Sequence, residues 1–334
     1  MLQTAVTIDF NSPDSWVILS SIEQSIKSKI EKVGTPLKDW NIQINYGIKT
    51  GCNEAFIIST KKREEILANC SDAEERHRTA ELIRPILRGR DIKRYSAKWA
   101  GLWLISTFPS RRYDINLYPA VKRHLLSFAE PMLRKAGMDW IADNYLADFC
   151  YQKLSQTGKF IEIGGQRVRC GQSDEKSRKE TSNKWFETQD SINYWDDFNL
   201  PKIIWAELSR TGNSFVLDDD KYFVGNTGYI LTSEELDRSR LQYLLGILNS
   251  RITLYQIDRL TTRFDDNGWR WLRQFVELLR VPPFLDFERI TSTVVTTNSS
   301  NQKEKSELLN SIIYEIYKFS PSEIEYINNS LATY

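Results

Sequence analysis

Residues 40–59, WNIQINYGIKTGCNEAFIIS, carry the clearest β pattern in the chain. Polar and apolar side chains alternate from Trp40 to Tyr46, as they do in a strand with one buried face. Glycines bound the turn that follows, and residues 55–59 are predicted to be the returning strand. We therefore expect a hairpin here.

Apolar residues at helical spacing predict helices towards both ends of the chain. The first runs from Ser12-Pro13, a favourable cap and first helical position, to Gly34. Two others run from 233 to about 258 and from 304 to 329, with a polar linker predicted over 291–302. Short strands are predicted between the helices, at residues 102–107, 201–205, 215–217, 222–224 and 229–231. The last two form a second hairpin through the turn Gly225-Asn-Thr-Gly228.

Helices and strands do not alternate regularly, which indicates an α+β fold with a mixed or antiparallel sheet. We divide the chain into an N-terminal helix and linker (1–39), a central domain (40–285), and a linker with a C-terminal helical segment (286–334).

The composition excludes several classes of protein. With 334 residues, 41% hydrophobic and 27% charged, the chain is neither collagen-like nor disordered as a whole. No run approaches 18 apolar residues, so we expect no membrane span. Four cysteines without close pairs indicate reduced thiols in a cytoplasm.

The net charge of +1 conceals a local asymmetry. Residues 84–123 contain ten Lys or Arg against two Asp, a local +8, whereas 286–334 contain four basic residues against seven acidic ones, a local −3. Such segregation can create one positive face that attracts phosphates. The alternative is that these cations lie in intramolecular ion pairs on solvated helix faces.

Several catalytic signatures are incomplete. Val281-Pro-Pro-Phe284 has valine where an amino-group methyltransferase needs a polar acceptor, and the glycines of Phe223-Val-Gly-Asn-Thr-Gly228 fit a hairpin turn better than a methyl-donor loop. Asp91-Ile-Lys93 lacks the upstream acidic ligand of a nuclease metal site. The cysteines and two histidines lack zinc spacing, and no Walker loop or G-x-S-x-G is present. We assign no catalytic and no metal-ligating residue, and whether the chain is itself an enzyme stays open.

Four polar and basic groups remain as candidate binding residues. The first is the turn at 49–53, whose side chains and backbone N–H groups suit a phosphate, and the second is the arginine-rich turn at 84–95. The third is a Gly-rich hairpin at 164–169 that fits a major groove, and the fourth is the loop at 209–213. For each, the alternative is a purely structural turn or an ion pair. The candidates for phosphate contacts are Lys49, Thr50, Asn53, Arg84, Arg88, Arg90, Lys93, Arg94, Arg111 and Arg112. The candidates for base edges are Gln166, Arg167, Arg169, Arg210 and Asn213.

Motifs along most of the chain, from about Trp40 to Asn328, resemble one known family. They are INYGIKTGCNEAFII (44–58), IRPILRGRDIKRY (83–95), KWFETQD (184–190) with YW (194–195), KIIW (202–205), LGILNS (245–250), and IYEIY (313–317) with EI (323–324). In this order they are similar to the TaqI-like specificity domain. That domain is the C-terminal part of type IIG restriction–modification enzymes and related adenine-specific DNA methyltransferases.

The resemblance implies a target-recognition domain that binds double-stranded DNA and recognises its sequence, while a separate catalytic domain flips and methylates adenine. Full-length members carry a methyl-donor loop and an Asn-Pro-Pro-aromatic motif ahead of this region, and neither occurs here. We therefore expect either part of a longer enzyme or a free-standing specificity subunit, with a methyltransferase or endonuclease domain or subunit as partner. No cofactor is expected in this chain, because S-adenosylmethionine and magnesium would belong to the missing catalytic domains.

Two other functions stay open at this point. One is a compact metal-dependent nuclease built on Asp91 and Lys93, and the other is a protein-interaction scaffold without DNA contact. If DNA recognition is the function, Arg88→Ala is expected to weaken binding to all duplexes and to flatten its salt slope by about one.

Overall fold

The computed structural model describes residues 19–135, 137, 139–144, 160–163, 165–169, 182–264 and 268–332. The helices are α1 (Ser21–Val33), α2 (Asn53–Phe56), α3 (Thr60–Ala68), α4 (Ala73–Leu82), α5 (Pro119–Lys135), α6 (Asp139–Asn144), α7 (Arg238–Leu248), α8 (Arg251–Leu260), α9 (Arg273–Val276), α10 (Phe287–Val295), α11 (Gln302–Tyr317) and α12 (Pro321–Ala332). The strands are β1 (Thr35–Pro36), β2 (Gln43–Tyr46), β3 (Ile57–Ser59), β4 (Ile83–Leu87), β5 (Ile92–Lys93), β6 (Ser96–Ala97), β7 (Leu102–Ile105), β8 (Phe160–Ile163), β9 (Gln166–Arg169), β10 (Lys202–Ala206), β11 (Leu208–Ser209), β12 (Phe215–Asp218), β13 (Phe223–Val224), β14 (Gly228–Thr232), β15 (Trp269–Arg270) and β16 (Arg280–Val281).

Two four-stranded sheets organise the described part of the chain. The first has the order β12-β10-β14-β2 and is antiparallel throughout. The second has the order β13-β4-β7-β3, with β13 and β4 parallel and the other pairs antiparallel. Two-stranded ribbons pair β1 with β16, β5 with β6, β8 with β9, and β11 with β15. The predicted α+β fold with mixed and antiparallel sheets is confirmed.

The central strand β10 separates two hydrophobic cores. Ile203 and Trp205 pack into a core with α1, α7, α8 and α10–α12, whereas Ile204 packs into a second core with the other sheet and α2–α5. All five residues of β10 are buried, because the strand has a partner on each edge and a core on each face.

The two predicted hairpins are not hairpins in the structure. Strand β2 is present, but its partner is β14, and the segment predicted as its returning strand begins as α2 before β3 joins the second sheet. Likewise β13 pairs with β4, while β14 pairs with β10. Each turn therefore carries the chain from one sheet to the other, and alternation along one strand cannot reveal this.

Three helical predictions need correction. The helix predicted over 233–258 is two helices, because Asn249 and Ser250 interrupt it and Ser250 caps α8. The polar linker predicted over 291–302 overlaps α10, whose Ile290 and Val294 are buried against α7. At the N-terminal end α1 is capped by Ser20 and ends at Gly34, while Ser12 and Pro13 lie outside the described residues.

The two ends of the described chain are joined through the carboxylate of Glu323. Its oxygens accept hydrogen bonds from Lys29 Nζ (2.6 Å) and Ser25 Oγ (2.6 Å) of α1, and from the backbone N–H of Ser320 (2.6 Å). Burial raises the pKa of Glu323, but these donors outweigh it together and lower the pKa to about 2.

This pKa predicts a pH dependence of stability. Because the folded-state pKa lies below the unfolded one, the stabilisation is complete above about pH 4.5 and is lost as the pH falls towards 2. Between pH 7 and pH 3 the expected loss is about 2 kcal/mol in the free energy of unfolding, measured by urea denaturation at the two pH values. Glu323→Gln should be less stable at pH 7 and show a flatter profile; an unchanged profile would contradict the assignment.

Candidate nucleic-acid interface

A groove of about 910 Å³ lies where the chain passes between the two sheets, and we call it the basic groove. Its lining includes five residues that the sequence singled out as binding candidates: Asn53, Arg88, Arg90, Lys93 and Arg210. They come from three of the four predicted groups, which the fold brings together. The acidic residues of the lining are Glu54 and Glu207, so cations outnumber anions in it.

Two crossing turns form one wall of the basic groove. The N–H of Gly47 donates to Gly228 O (2.8 Å) and that of Ile48 donates to Val224 O (2.8 Å), so the turns at 47–51 and 225–228 lie against each other. A Cβ on Gly47 would lie 2.0 Å from Gly225 O, and therefore only glycine fits there. This close approach sets the position of the residues that follow each turn.

The arginine-rich turn after β4 is held by an ion pair between Arg88 and Asp91. Arg88 Nε and Nη2 donate to the two carboxylate oxygens of Asp91 at 2.9 and 2.7 Å, and the backbone N–H of Arg88 donates to Oδ2 at 2.9 Å. Burial raises the pKa of Asp91, but these bonds outweigh it and lower that pKa overall. The sequence placed Arg88 on a DNA phosphate; the structure gives its guanidinium a partner inside the protein.

Arg88→Ala is therefore expected to act first on stability. It leaves the buried Asp91 carboxylate without its guanidinium, at a cost of about 1–3 kcal/mol in the free energy of unfolding. Thermal and urea denaturation measure this cost. An unchanged melting temperature together with weaker DNA binding would instead indicate that Arg88 contacts a DNA phosphate.

Arg90 and Lys93 differ from Arg88 in being exposed. Neither has an ion pair within 4 Å in the part of the chain that the structure describes, although Arg90 contributes to the field at Asp91. Arg210, another lining residue, is also exposed, and its guanidinium lies 6.0 Å from the Phe264 ring. These cations line one groove, so an anion entering it meets several positive side chains.

A second basic group lies beside two aromatic rings, the exposed Tyr46 and the half-buried Trp195. Lys49 Nζ lies 5.9 Å from the Tyr46 ring centre, and the Arg111 guanidinium lies 3.8 Å from that of Trp195. Burial raises the pKa of Asp190, and the nearby Lys49 partly offsets this rise. Arg112, the neighbour of Arg111, is exposed with a positive φ of 49°. This group offers cations with stacking partners.

Several predicted site residues have internal roles. Asn213 is buried, and its Nδ2 donates to Leu248 O (2.6 Å) and Ser250 O (3.0 Å). Thr50 is 1% exposed and donates to Asn53 Oδ1 at 2.8 Å. Both assignments as DNA contacts are corrected, because these side chains support turns and do not face solvent.

Two further arginines are also engaged inside the protein. Arg94 Nη2 donates to the backbone oxygen of Asn249. Arg84 donates to Asn199 Oδ1 at 2.8 Å and lies over the Phe223 ring, and burial lowers its pKa. A phosphate contact by either one would require these interactions to break.

The predicted Gly-rich hairpin is confirmed. Strands β8 and β9 are antiparallel, with Ile163 opposite Gln166, Glu162 opposite Arg167 and Phe160 opposite Arg169. Gly165 has a φ of 75°, as a tight turn requires, while Gly164 and the loop predicted after the hairpin lie outside the described residues. Gln166, Arg167 and Arg169 stay predictions as base contacts.

The catalytic alternatives find no support in the geometry. Both oxygens of Asp91 are taken by Arg88, and no group of three or more potential metal ligands occurs among the described residues. Val281 and Pro282 are buried, Phe284 packs partly buried against the core, and Pro282 O accepts a hydrogen bond from Tyr243 (2.9 Å). The glycines at 225 and 228 serve the crossing described above, and a Cβ on Gly228 would lie 2.5 Å from Val224 Cγ1. These residues do not fit a methyl donor.

None of the helices in the described ranges is both long enough and apolar enough to cross a membrane.

The groove also contains residues that the sequence did not single out for binding. Asn226 and Thr227 belong to the turn that was predicted only as a hairpin connection, and Thr211 belongs to the loop at 209–213. The asparagine in the glycine-bounded turn Gly225-Asn-Thr-Gly228 was the available signal. This signal points to binding only once the fold shows that the turn lies beside the arginine-rich turn.

Comparison with known proteins identifies the class of domain. A family model, the TaqI-like C-terminal specificity domain, matches residues 152–277. The resemblance found in the sequence is confirmed over these residues. The matched residues include Arg210 and the turn at 225–228, whereas Asn53, Arg90 and Lys93 lie outside them.

One curated relative matches nearly the whole chain. This chain is 22% identical to the type II methyltransferase M.BstVI of Geobacillus stearothermophilus over 335 aligned residues. The alignment covers 96% of this chain and 47% of that protein. The chain therefore spans about half the length of that relative.

Two solved structures resemble the fold, each with 12% sequence identity. The type IIG restriction endonuclease BpuSI aligns over 89% of this chain and 33% of its own, with a TM-score of 0.50, which shows a shared fold. The type IIL restriction-modification enzyme MmeI, solved in complex with DNA, aligns over 90% of this chain and 36% of its own, with a TM-score of 0.49.

Proposed function

We propose that this chain recognises a specific sequence in double-stranded DNA and directs the catalytic part of a type IIG-like restriction–modification system to it. One observation carries the proposal: the basic groove, which Arg90, Lys93 and Arg210 all line, in a chain whose residues 152–277 match the TaqI-like C-terminal specificity domain. The nuclease and scaffold alternatives have no comparable support.

The cations fall into two proposed roles. Arg90, Lys93, Lys49, Arg111 and Arg112 are exposed and suit phosphates, which fix the register of a protein on the duplex without selecting its sequence. Arg210 and the β8–β9 hairpin are the candidates for base edges, because an arginine fork matches guanine O6 and N7. The aromatic rings beside Lys49 and Arg111 add stacking partners near the sugar–phosphate backbone.

Methylation or cleavage would belong to a domain or subunit outside these 334 residues. The relative M.BstVI is a methyltransferase of about twice this length, which supports such a division of labour. S-adenosylmethionine and magnesium would act in that catalytic part. We propose the cytoplasm as the location of this protein, and the free thiol of Cys70 accords with this. The functional boundaries at residues 40 and 285 stay a prediction.

A binding-site selection tests the proposal. The chain is mixed with a pool of duplexes containing a randomised segment, bound DNA is recovered at about 150 mM salt, and its sequence is determined. The proposal expects one enriched sequence. A pool recovered without enrichment, or no recovery, would contradict it.

Incubating the same protein with duplex DNA and Mg²⁺ tests the nuclease alternative. Strand cleavage by the pure chain would favour the nuclease, and cleavage that survives Lys93→Ala would exclude the Asp91–Lys93 site as its cause.

A further inference from the structure

We propose that Asn226, at the tip of the turn Gly225-Asn-Thr-Gly228, recognises the major-groove edge of an adenine in the target sequence. This inference rests on the proposed function and assigns one specificity-determining residue within the basic groove.

Asn226 is available for such a contact. Its side chain is exposed and lines the groove with Arg90 and Arg210. Its amide makes no hydrogen bond to any residue in the described ranges. Its φ is not positive, so the backbone of the turn does not depend on asparagine. The side chain is thus neither a cap nor a turn-forming group, which are the usual structural reasons for asparagine in a loop.

The turn that carries Asn226 is held firmly on both sides. Gly225 N donates to Leu87 O (2.9 Å), Gly228 N donates to Gly225 O (3.0 Å), and Glu207 N donates to Thr227 O (2.9 Å). A base contact needs such support, because a loosely held amide loses its orientation on binding.

The same turn is bound to the turn that carries Arg90. Gly89 N donates to Thr227 Oγ1 at 3.1 Å, and a Cβ on Gly89 would lie 2.9 Å from Thr227 O. Arg90 directly follows Gly89 in the chain, and Asn226 directly precedes Thr227. A phosphate held by Arg90 therefore places the duplex at a fixed depth relative to the Asn226 amide.

The chemistry of the amide selects adenine. Its oxygen accepts from adenine N6 while its nitrogen donates to adenine N7, a paired contact that no other base offers in the same arrangement. The hydroxyls of Ser209 and Thr211 also line the groove but suit several bases. Compared with these hydroxyls, the Asn226 amide therefore discriminates more sharply between bases.

The test compares binding-site selections by the wild-type chain, Asn226→Ala, Asn226→Asp and the matched control Asn41→Ala, an exposed asparagine outside the groove lining. In the wild-type selection one position is adenine, favoured roughly 5- to 150-fold over other bases. Asn226→Ala removes the preference at that position alone. Asn226→Asp shifts it towards cytosine, whose N4 donates to a carboxylate. The control keeps the wild-type sequence.

A second measurement uses 7-deazaadenine at that position, which removes the N7 acceptor. Wild-type affinity should fall about as far as with Asn226→Ala, and the variant should be insensitive to the change. The inference is overturned if Asn226→Ala selects the wild-type sequence with adenine at every wild-type position; the proposed function then stands. A wild-type selection without any enriched sequence overturns both.

Discussion

Reversing two charges in the basic groove, with Arg90→Glu and Lys93→Glu together, is expected to weaken binding to duplex DNA on the order of 100-fold at 150 mM salt. Each substitution removes an attraction to phosphate of about 1 kcal/mol and adds a repulsion of similar size, partly screened by salt. Two fewer phosphate contacts should also lower the slope of log K against log salt by about two. Fluorescence anisotropy with a labelled duplex measures both quantities.

The matched control reverses two other exposed lysines, Lys32 and Lys38, which lie outside the groove lining. The change in net charge is the same in both double variants. Any difference between their DNA affinities therefore results from where the reversed charges lie. Equal losses of affinity would mean that binding depends only on net charge. Thermal unfolding should be nearly unchanged in both variants, because all four side chains are exposed.

Asp218→Asn is expected to destabilise the fold by about 3–5 kcal/mol, the largest effect on stability among the changes considered. Lys202 is fully buried, and its ammonium lies 2.5 Å from the Asp218 carboxylate and donates to Phe198 O at 2.7 Å. Burial lowers the pKa of Lys202, and Asp218 is the charge that counteracts this. The substitution leaves the ammonium buried without its counter-ion.

Asp218 has a second structural role besides pairing with Lys202. Its oxygens accept hydrogen bonds from the backbone N–H groups of Asp220 and Tyr222, both at 3.0 Å, and so hold the bend that leads into β13 and the turn at 225–228. Asparagine keeps one acceptor oxygen for this bend. The charge effect can therefore be separated from the bend by a second variant.

Urea denaturation of three variants gives that separation. Lys202→Met alone should cost less than Asp218→Asn, because the carboxylate keeps its two backbone donors. The double variant should be more stable than Asp218→Asn, because no buried ammonium remains. A free energy of unfolding for Asp218→Asn within 1 kcal/mol of the wild type would show that the pair is not needed.

The sequence predicts which residues are buried better than it predicts which strands pair. The apolar run at 201–205 and the alternation at 40–46 both correspond to strands, because burial on one or two faces leaves a direct pattern. The partner of each strand depends on where the chain turns next. A turn with glycines has the same composition whether it closes a hairpin or crosses between sheets, as at Gly47 and Gly225.

Helix α10 shows how tertiary contact overrides local preference. Its Thr, Ser and Val residues have modest helix propensity, so the segment resembled a linker. It is helical because it packs on α7 at Gly246, where a Cβ would lie 2.9 Å from both Ile290 Cγ2 and Val294 Cγ2. The close approach that the glycine allows cannot be recognised without the fold.

In the candidate site the residue types were predictable, but their exposure was not. Arg88 and Arg90 are two residues apart in one motif, yet one is paired with Asp91 and the other faces solvent. Asn213 and Asn226 both lie in polar turns, yet the first is buried and the second is exposed. Hydrogen-bond partners distant in sequence, such as Leu248 for Asn213, decide these outcomes.

The central claim is that the chain distinguishes one DNA sequence from others, and a competition experiment measures this directly. A labelled duplex carrying the selected sequence is bound at 150 mM salt and displaced by unlabelled duplexes, either identical or scrambled. We expect that displacing the labelled duplex takes a roughly 1,000-fold or higher concentration of the scrambled duplex than of the identical one. Displacement by both duplexes at the same concentration would contradict it.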